Sequence, residues 1–191
     1  MDTPAVAAFS AASRFFVEAV AAVPRDRYEQ RWSDEWRVLD LIGHGNRANV
    51  LPVEYYERPV PAAAPDELAS YLLPANIAAR GRQATEALGD DPVAAVRAAS
   101  ERAIAVVAAA PDDAVVGTPF GARSLESYLT SRTAELVLHG LDLDTTVEPP
   151  ALALVECGAF LVAQAVGSGH GVEVVRALSG RGALPADFSV Y

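Results

Sequence analysis

Cysteine occurs once in this chain, at Cys157, and histidine only three times in 191 residues. One cysteine excludes an intramolecular disulfide, which fits a reducing cytoplasm without requiring one. Cys157 sits in the apolar helical run ALALVECGAFLVA and reads as a buried, inert thiol. Thiol chemistry would therefore need a thiol from outside the chain. Cations are also scarce: 15 Lys and Arg stand against 25 Asp and Glu, a formal net charge of -10 with a pI of about 4.7. Nucleic-acid binders need a basic face that displaces counterions from phosphates, so the overall balance argues against nucleic acid. Anionic membrane surfaces are disfavoured on the same grounds. The opening residues MDTPAVAAFS lack the positive stretch of a signal peptide. The longest apolar run, around 151–167, contains Glu156 and Gln164, too short and too polar for a membrane span. These absences predict a soluble cytoplasmic protein; its oligomeric state, monomer or homodimer, does not follow from them.

Apolar residues are abundant. Hydrophobic side chains make up 51% of the sequence, a globular composition. The length predicts one domain over 1–191, large enough to hold its core without a structural metal. Apolar positions recur with helical spacing over 5–23, ending at Pro24, and again over 34–56. Ser33 is read as the N-cap of the second helix, with Asp34 and Glu35 in its first turn; Pro52 is expected to kink that helix or end it early. After the proline-rich stretch 57–65, Asp66 is read as the cap of a helical segment that is interrupted at Pro74 and closed by Gly89. Asp91 caps a helix over 92–110, with Pro92 at its first position. A loop follows, with a short extended piece at 114–116. Ser124 caps a helix over 125–142. Helical stretches at 150–166 and 172–178 precede an irregular tail. Strand signal is almost absent. The expected fold is all-α, an up-and-down four-helix bundle with extra short helices.

Two histidines fall inside helical patterns beside acidic residues. Glu135 and His139 stand at i and i+4 in RTAELVLHGLDL, so they lie on one helix face and can grip one metal ion. His44 in EWRVLDLIGHGNRA is a third candidate, flanked by Gly43 and Gly45, which either let helices approach closely or leave room for a ligand. Each has a plainer reading. The polar line Tyr128, Ser131, Arg132, Glu135, His139, Asp142 is either a solvated face laced with i,i+4 pairs or a stripe facing a pocket. His44, near Leu41 and Ala48, is either a hydrogen-bonded core residue or a ligand. Arg132 pairs with an anionic substrate or with Glu135. Asp142 either orients a ligand imidazole from behind or is a solvated helix end. Tyr128 is expected to pack, and His170, in a glycine-rich linker, to be solvated.

Taken together, W-x-V-x-D-L-x-x-H in WRVLDLIGH and R-x-x-E-x-x-x-H-G-x-D-L in RTAELVLHGLDL resemble the mycothiol-dependent maleylpyruvate isomerase N-terminal family of DinB-like and YfiT-like metal-dependent bundles. The likeness runs from the first helix to the tail segment RALSGRGALPADFSV. It implies a DinB-like bundle and a divalent metal held by His44, Glu135 and His139. Leu141 stands where the family often has Trp. The isomerase itself carries a further domain after the bundle, so the metal site carries over better than maleylpyruvate isomerisation does.

Three protein ligands leave a position open for water or substrate, as in catalytic zinc sites. The mixed N/O set suits Zn(II) best, with Ni(II) the alternative. An open position on a cation can bind and deprotonate a thiol. The resemblance implies mycothiol or bacillithiol, and the Ala-rich, Arg-over-Lys composition fits a high-GC, actinobacterial genome and hence mycothiol. The expected function is a metal- and mycothiol-dependent S-transferase or isomerase acting on a small electrophile. The alternative is a non-catalytic small-molecule-binding or stress-response metalloprotein.

Overall fold

The first apolar periodicity folds as α1 (Pro4–Ala22) in the computed structural model, which describes residues 3–190. Thr3 caps it, its Oγ1 accepting from Val6 N–H at 3.4 Å, and Pro4 sits where a missing N–H costs nothing. Phe9, Phe16 and Val20 on its inner face are fully buried. By length and composition α1 is the one described helix that could cross a membrane, but that apolar face fills the core.

The second helix begins later than the sequence suggests. Ser33 Oγ accepts from the N–H groups of Glu35 and Trp36 and closes a tight turn, not a helix. α2 (Val38–Glu57) starts after Arg37, whose N–H is taken by the Asp40 carboxylate at 3.0 Å. A serine followed by acids suits either motif; here the backbone of Trp36 returns to bond Trp32 and Ser33, which commits the segment to a turn. Pro52 lies inside α2 without ending it.

Beyond the proline-rich connection, α3 (Pro65–Tyr71) is capped at Ala64, whose N–H is accepted by Glu67 at 2.8 Å. Asp66 lies within its first turn and is not the cap, because Pro65 already occupies the first helical position. Then come α4 (Pro74–Glu86) and α5 (Pro92–Ala109), the latter capped by Asp91 as expected. The extended piece expected near 114–116 is β1 (Val115–Thr118), one arm of an antiparallel hairpin with β2 (Gly121–Ser124). Backbone bonds from Val60 to Gly117 and from Ala63 to Pro119 tie the proline-rich connection to this hairpin. α6 (Leu125–Asp142), capped by Ser124, is followed by α7 (Ala151–Gly167) and α8 (Gly171–Leu178).

The architecture is the all-α, DinB-like bundle that the sequence predicts, with the hairpin as a small addition. α1 packs on α5 and α6, and α2 packs on the same two. Each pair joined in sequence, α1 with α2 and α5 with α6, therefore stands across the bundle rather than side by side. α4 covers α2, while α7 covers α6 and α1. Within the core, Ser13 bonds Asn49 at 2.7 Å and Ser100 at 2.6 Å, and Asn49 donates to Asn46 at 3.2 Å. This buried polar chain links α1, α2 and α5, and any slip between them would leave its members unpaired.

Candidate metal centre

α2 and α6 pack directly, and their facing sides bring His44, Glu135 and His139 together. One donor atom from each lies within 4.8 Å of the other two. His139 Nε2 stands 3.1 Å from Glu135 Oε2, as the i,i+4 spacing allows. The rings of His44 and His139 meet edge to face, with centroids 5.0 Å apart. Glu135 and His139 are recessed, their side chains 19% and 14% exposed.

The glycines beside the histidines make this approach sterically possible. A Cβ on Gly45 would lie 2.6 Å from the Phe16 ring and 3.2 Å from His139 Cβ. One on Gly43 would strike the Thr85 backbone on α4 at 2.6 Å, and one on Gly140 the Phe15 ring at 2.3 Å. Of the two readings open for Gly43 and Gly45, the structure supports close helix approach.

His139 is held from both sides, with Nδ1 3.1 Å from Asp142 Oδ2. Burial pulls its pKa down, but its hydrogen bonds to the Asp142 and Glu135 carboxylates overcome this and push it up to about 9. His44 goes the other way: burial, reinforced by the like charge of His139, pulls it down to about 4 and keeps it neutral. Its Nδ1 is buried with no hydrogen-bond partner. The centre thus gathers a carboxylate and two imidazoles, one of which has a nitrogen that the protein does not satisfy. A cation is what such a donor set lacks.

Arg132 approaches Glu135 Oε1 at 3.5 Å, the ion pair that was one of its two readings, and its guanidinium lies 5.0 Å from the Tyr128 ring centroid. Tyr128 is buried against Tyr55, and Cys157 is buried on α7, where burial raises its thiol pKa. His170 is exposed beside Phe188.

The centre opens on a cavity of about 580 Å³. Several residues around the centre and its cavity were not singled out by the sequence reading. Trp36 lies just before α2, with its ring centroid 4.4 Å from that of His44. Arg47 follows His44 by three positions and lines the cavity with it, so i,i+3 spacing would have found it. Tyr71, Arg80, Phe120 and Arg123 arrive on α3, α4 and the hairpin, with no local pattern to announce them.

No curated protein and no solved structure matches this sequence. Residues 9–144, which take in all three centre residues and all of the four core helices but the first turn of α1, match the family described as mycothiol maleylpyruvate isomerase N-terminal domain, and the chain belongs to that family.

Proposed function

We propose that His44, Glu135 and His139 bind one divalent cation, and that the protein is a metal- and mycothiol-dependent S-transferase or isomerase acting on a small electrophile. The observation that carries this reading is the convergence of the three donor atoms within 4.8 Å at the edge of a cavity large enough for a second molecule. Two imidazoles and a carboxylate suit Zn(II) best, with Ni(II) next. Three donors from the protein leave room for one from outside. A cation held there supplies a Lewis acid that lowers the pKa of an incoming thiol.

The chain's own residues prepare that position. Asp142, on Nδ1 of His139, turns Nε2 toward Glu135 and makes the imidazole a stronger donor. Arg132 holds the other oxygen of Glu135 and restricts its rotation. The Trp36 ring rests against His44. Cys157 is buried on α7 with a raised thiol pKa, which favours a nucleophile from a cosubstrate. Family membership favours mycothiol as that cosubstrate.

The test is elemental analysis of the purified protein, followed by conjugation assays with mycothiol and a panel of thiol-reactive electrophiles. About one zinc per chain and turnover that a chelator abolishes are expected. A protein that binds no divalent metal would overturn the assignment. Metal without turnover on any electrophile would favour a small-molecule-binding metalloprotein.

A further inference from the structure

α7 turns its polar side chains inward and its apolar ones outward. Glu156, its one charged residue, accepts a hydrogen bond from Thr130 Oγ1 on α6 at 2.8 Å. Gln164 lines the cavity beside the centre. Of the rest, only Ala153, Cys157 and Ala165 are buried. The outer side carries Leu152, Val155, Ala159, Val162 and Val166, with no charged or hydrogen-bonding side chain among them. Val155 is 70% exposed and Val166 61%. A surface helix shows its polar face to water; a helix that is apolar on its outer side as well belongs in an interior.

The face continues past the end of α7. Val166 shares an open groove with Val172 and Val175 of α8. Those two and Leu178 are exposed, Leu178 at 75%. The tail that follows leaves them uncovered: its Phe188 packs on the ring of His170 instead. Together the exposed apolar residues of α7 and α8 present an area on the order of the ~800 Å² that each partner buries in a stable interface. That exceeds the patch of a few hundred Å² that a monomer commonly shows.

The pattern of the face suits a second helix. Leu152, Val155, Ala159, Val162 and Val166 are alternately three and four positions apart, the spacing of a seam between two helices. Ala159 stands at the middle of α7, beside Gly158, where an added Cβ would meet nothing within 4 Å. Small residues there let a second axis come close. Larger ones flank them on both sides, so an antiparallel copy sets Leu152 of one chain against Val166 of the other and small residues against small. A two-fold interface requires such self-complementarity. Charge favours the same place. Each copy carries a formal net charge of -10, and two copies meet with least repulsion on the outer side of α7, which bears none of it.

We infer that this face of α7, extended by α8, docks a second copy of the chain in a symmetric homodimer. The inference is independent of the metal and thiol chemistry proposed above.

Sedimentation equilibrium of the whole chain over a range of micromolar concentrations tests it. A species of twice the 20.1 kDa chain mass is expected. Val155→Glu and Val166→Glu each place a carboxylate in the seam and should weaken association by about a hundredfold or more. Both positions are exposed within one copy, so circular dichroism should show the helices unaltered, and either variant keeps the test open if the other misfolds. Val115→Glu, at an exposed hairpin position outside the face, should dimerise like the wild type. A monomer at every concentration, a dimer that survives both seam variants, or a dimer lost equally in Val115→Glu would each overturn the interface. A monomer that binds phosphatidylcholine vesicles would overturn it too, and would assign the face to a lipid surface.

Discussion

At the scale of single residues, the centre separates three roles that substitution can distinguish. Glu135→Ala or His139→Ala removes a donor, and either protein should lose its metal and its thiol-dependent turnover. Asp142→Asn keeps the shape but weakens the hold on Nδ1 of His139, and should reduce metal affinity by about 10- to 100-fold with little change in stability. Cys157→Ser should keep most of the activity, because this thiol is buried and its pKa is raised. Activity lost in Cys157→Ser but kept in Glu135→Ala would identify Cys157 as the nucleophile and refute the proposed chemistry. Gly140→Ala is a steric test. The added methyl would lie 2.3 Å from the buried Phe15 ring. Overpacking of about 1–3 kcal/mol should outweigh the gain of up to about 1 kcal/mol in helix propensity. Thermal unfolding should show a lower Tm; a Tm at or above wild type would mean that α1 and α6 separate at no cost.

At the scale of elements, the start of α2 sets the register of His44. Asp40 anchors that start: its carboxylate accepts from the Arg37 backbone N–H at 3.0 Å and from the Arg37 guanidinium at 2.9 Å. Burial pushes the Asp40 pKa up, but the bonds from Arg37 outweigh it and hold the carboxyl below its ordinary 3.8. A depressed folded-state pKa stabilises the fold above the unfolded pKa, and that contribution is lost as pH falls through the folded value. Asp40→Asn should therefore be less stable than wild type by about 1–2 kcal/mol at neutral pH. The gap should close in strong acid, where the wild-type carboxyl is protonated too. Denaturant unfolding across pH checks this, and a gap that does not change with pH would assign the loss to packing rather than charge.

For the molecule as a whole, the four core helices close around apolar side chains that owe nothing to the centre: Phe9, Leu41, Val107 and Leu129 are fully buried. Removing the metal should leave the helical circular-dichroism spectrum intact. The Tm should fall only by the binding free energy of the cation, as mass-action linkage requires. Collapse of the helical signal on chelation would make the metal a structural element instead.

The sequence by itself determined the helices, the caps Asp91 and Ser124 and the pairing of Glu135 with His139, because each depends on residues within one or two turns of chain. Asp91 and Ser124 bond N–H groups three positions away, and His139 meets Glu135 one turn along α6. The motif resemblance added His44, which spacing alone left undecided. Ser33 misled because its hydroxyl serves a turn as readily as a helix, and only the backbone return of Trp36 decides between them. Tertiary structure alone decided which helices stand diagonally, how Trp36 meets His44, and that α4 and the hairpin bring Arg80 and Arg123 to one cavity. These contacts join residues far apart in the chain, where neither periodicity nor capping carries information. They follow from which apolar faces bury together, and from the glycines at 43, 45 and 140 that let those faces close.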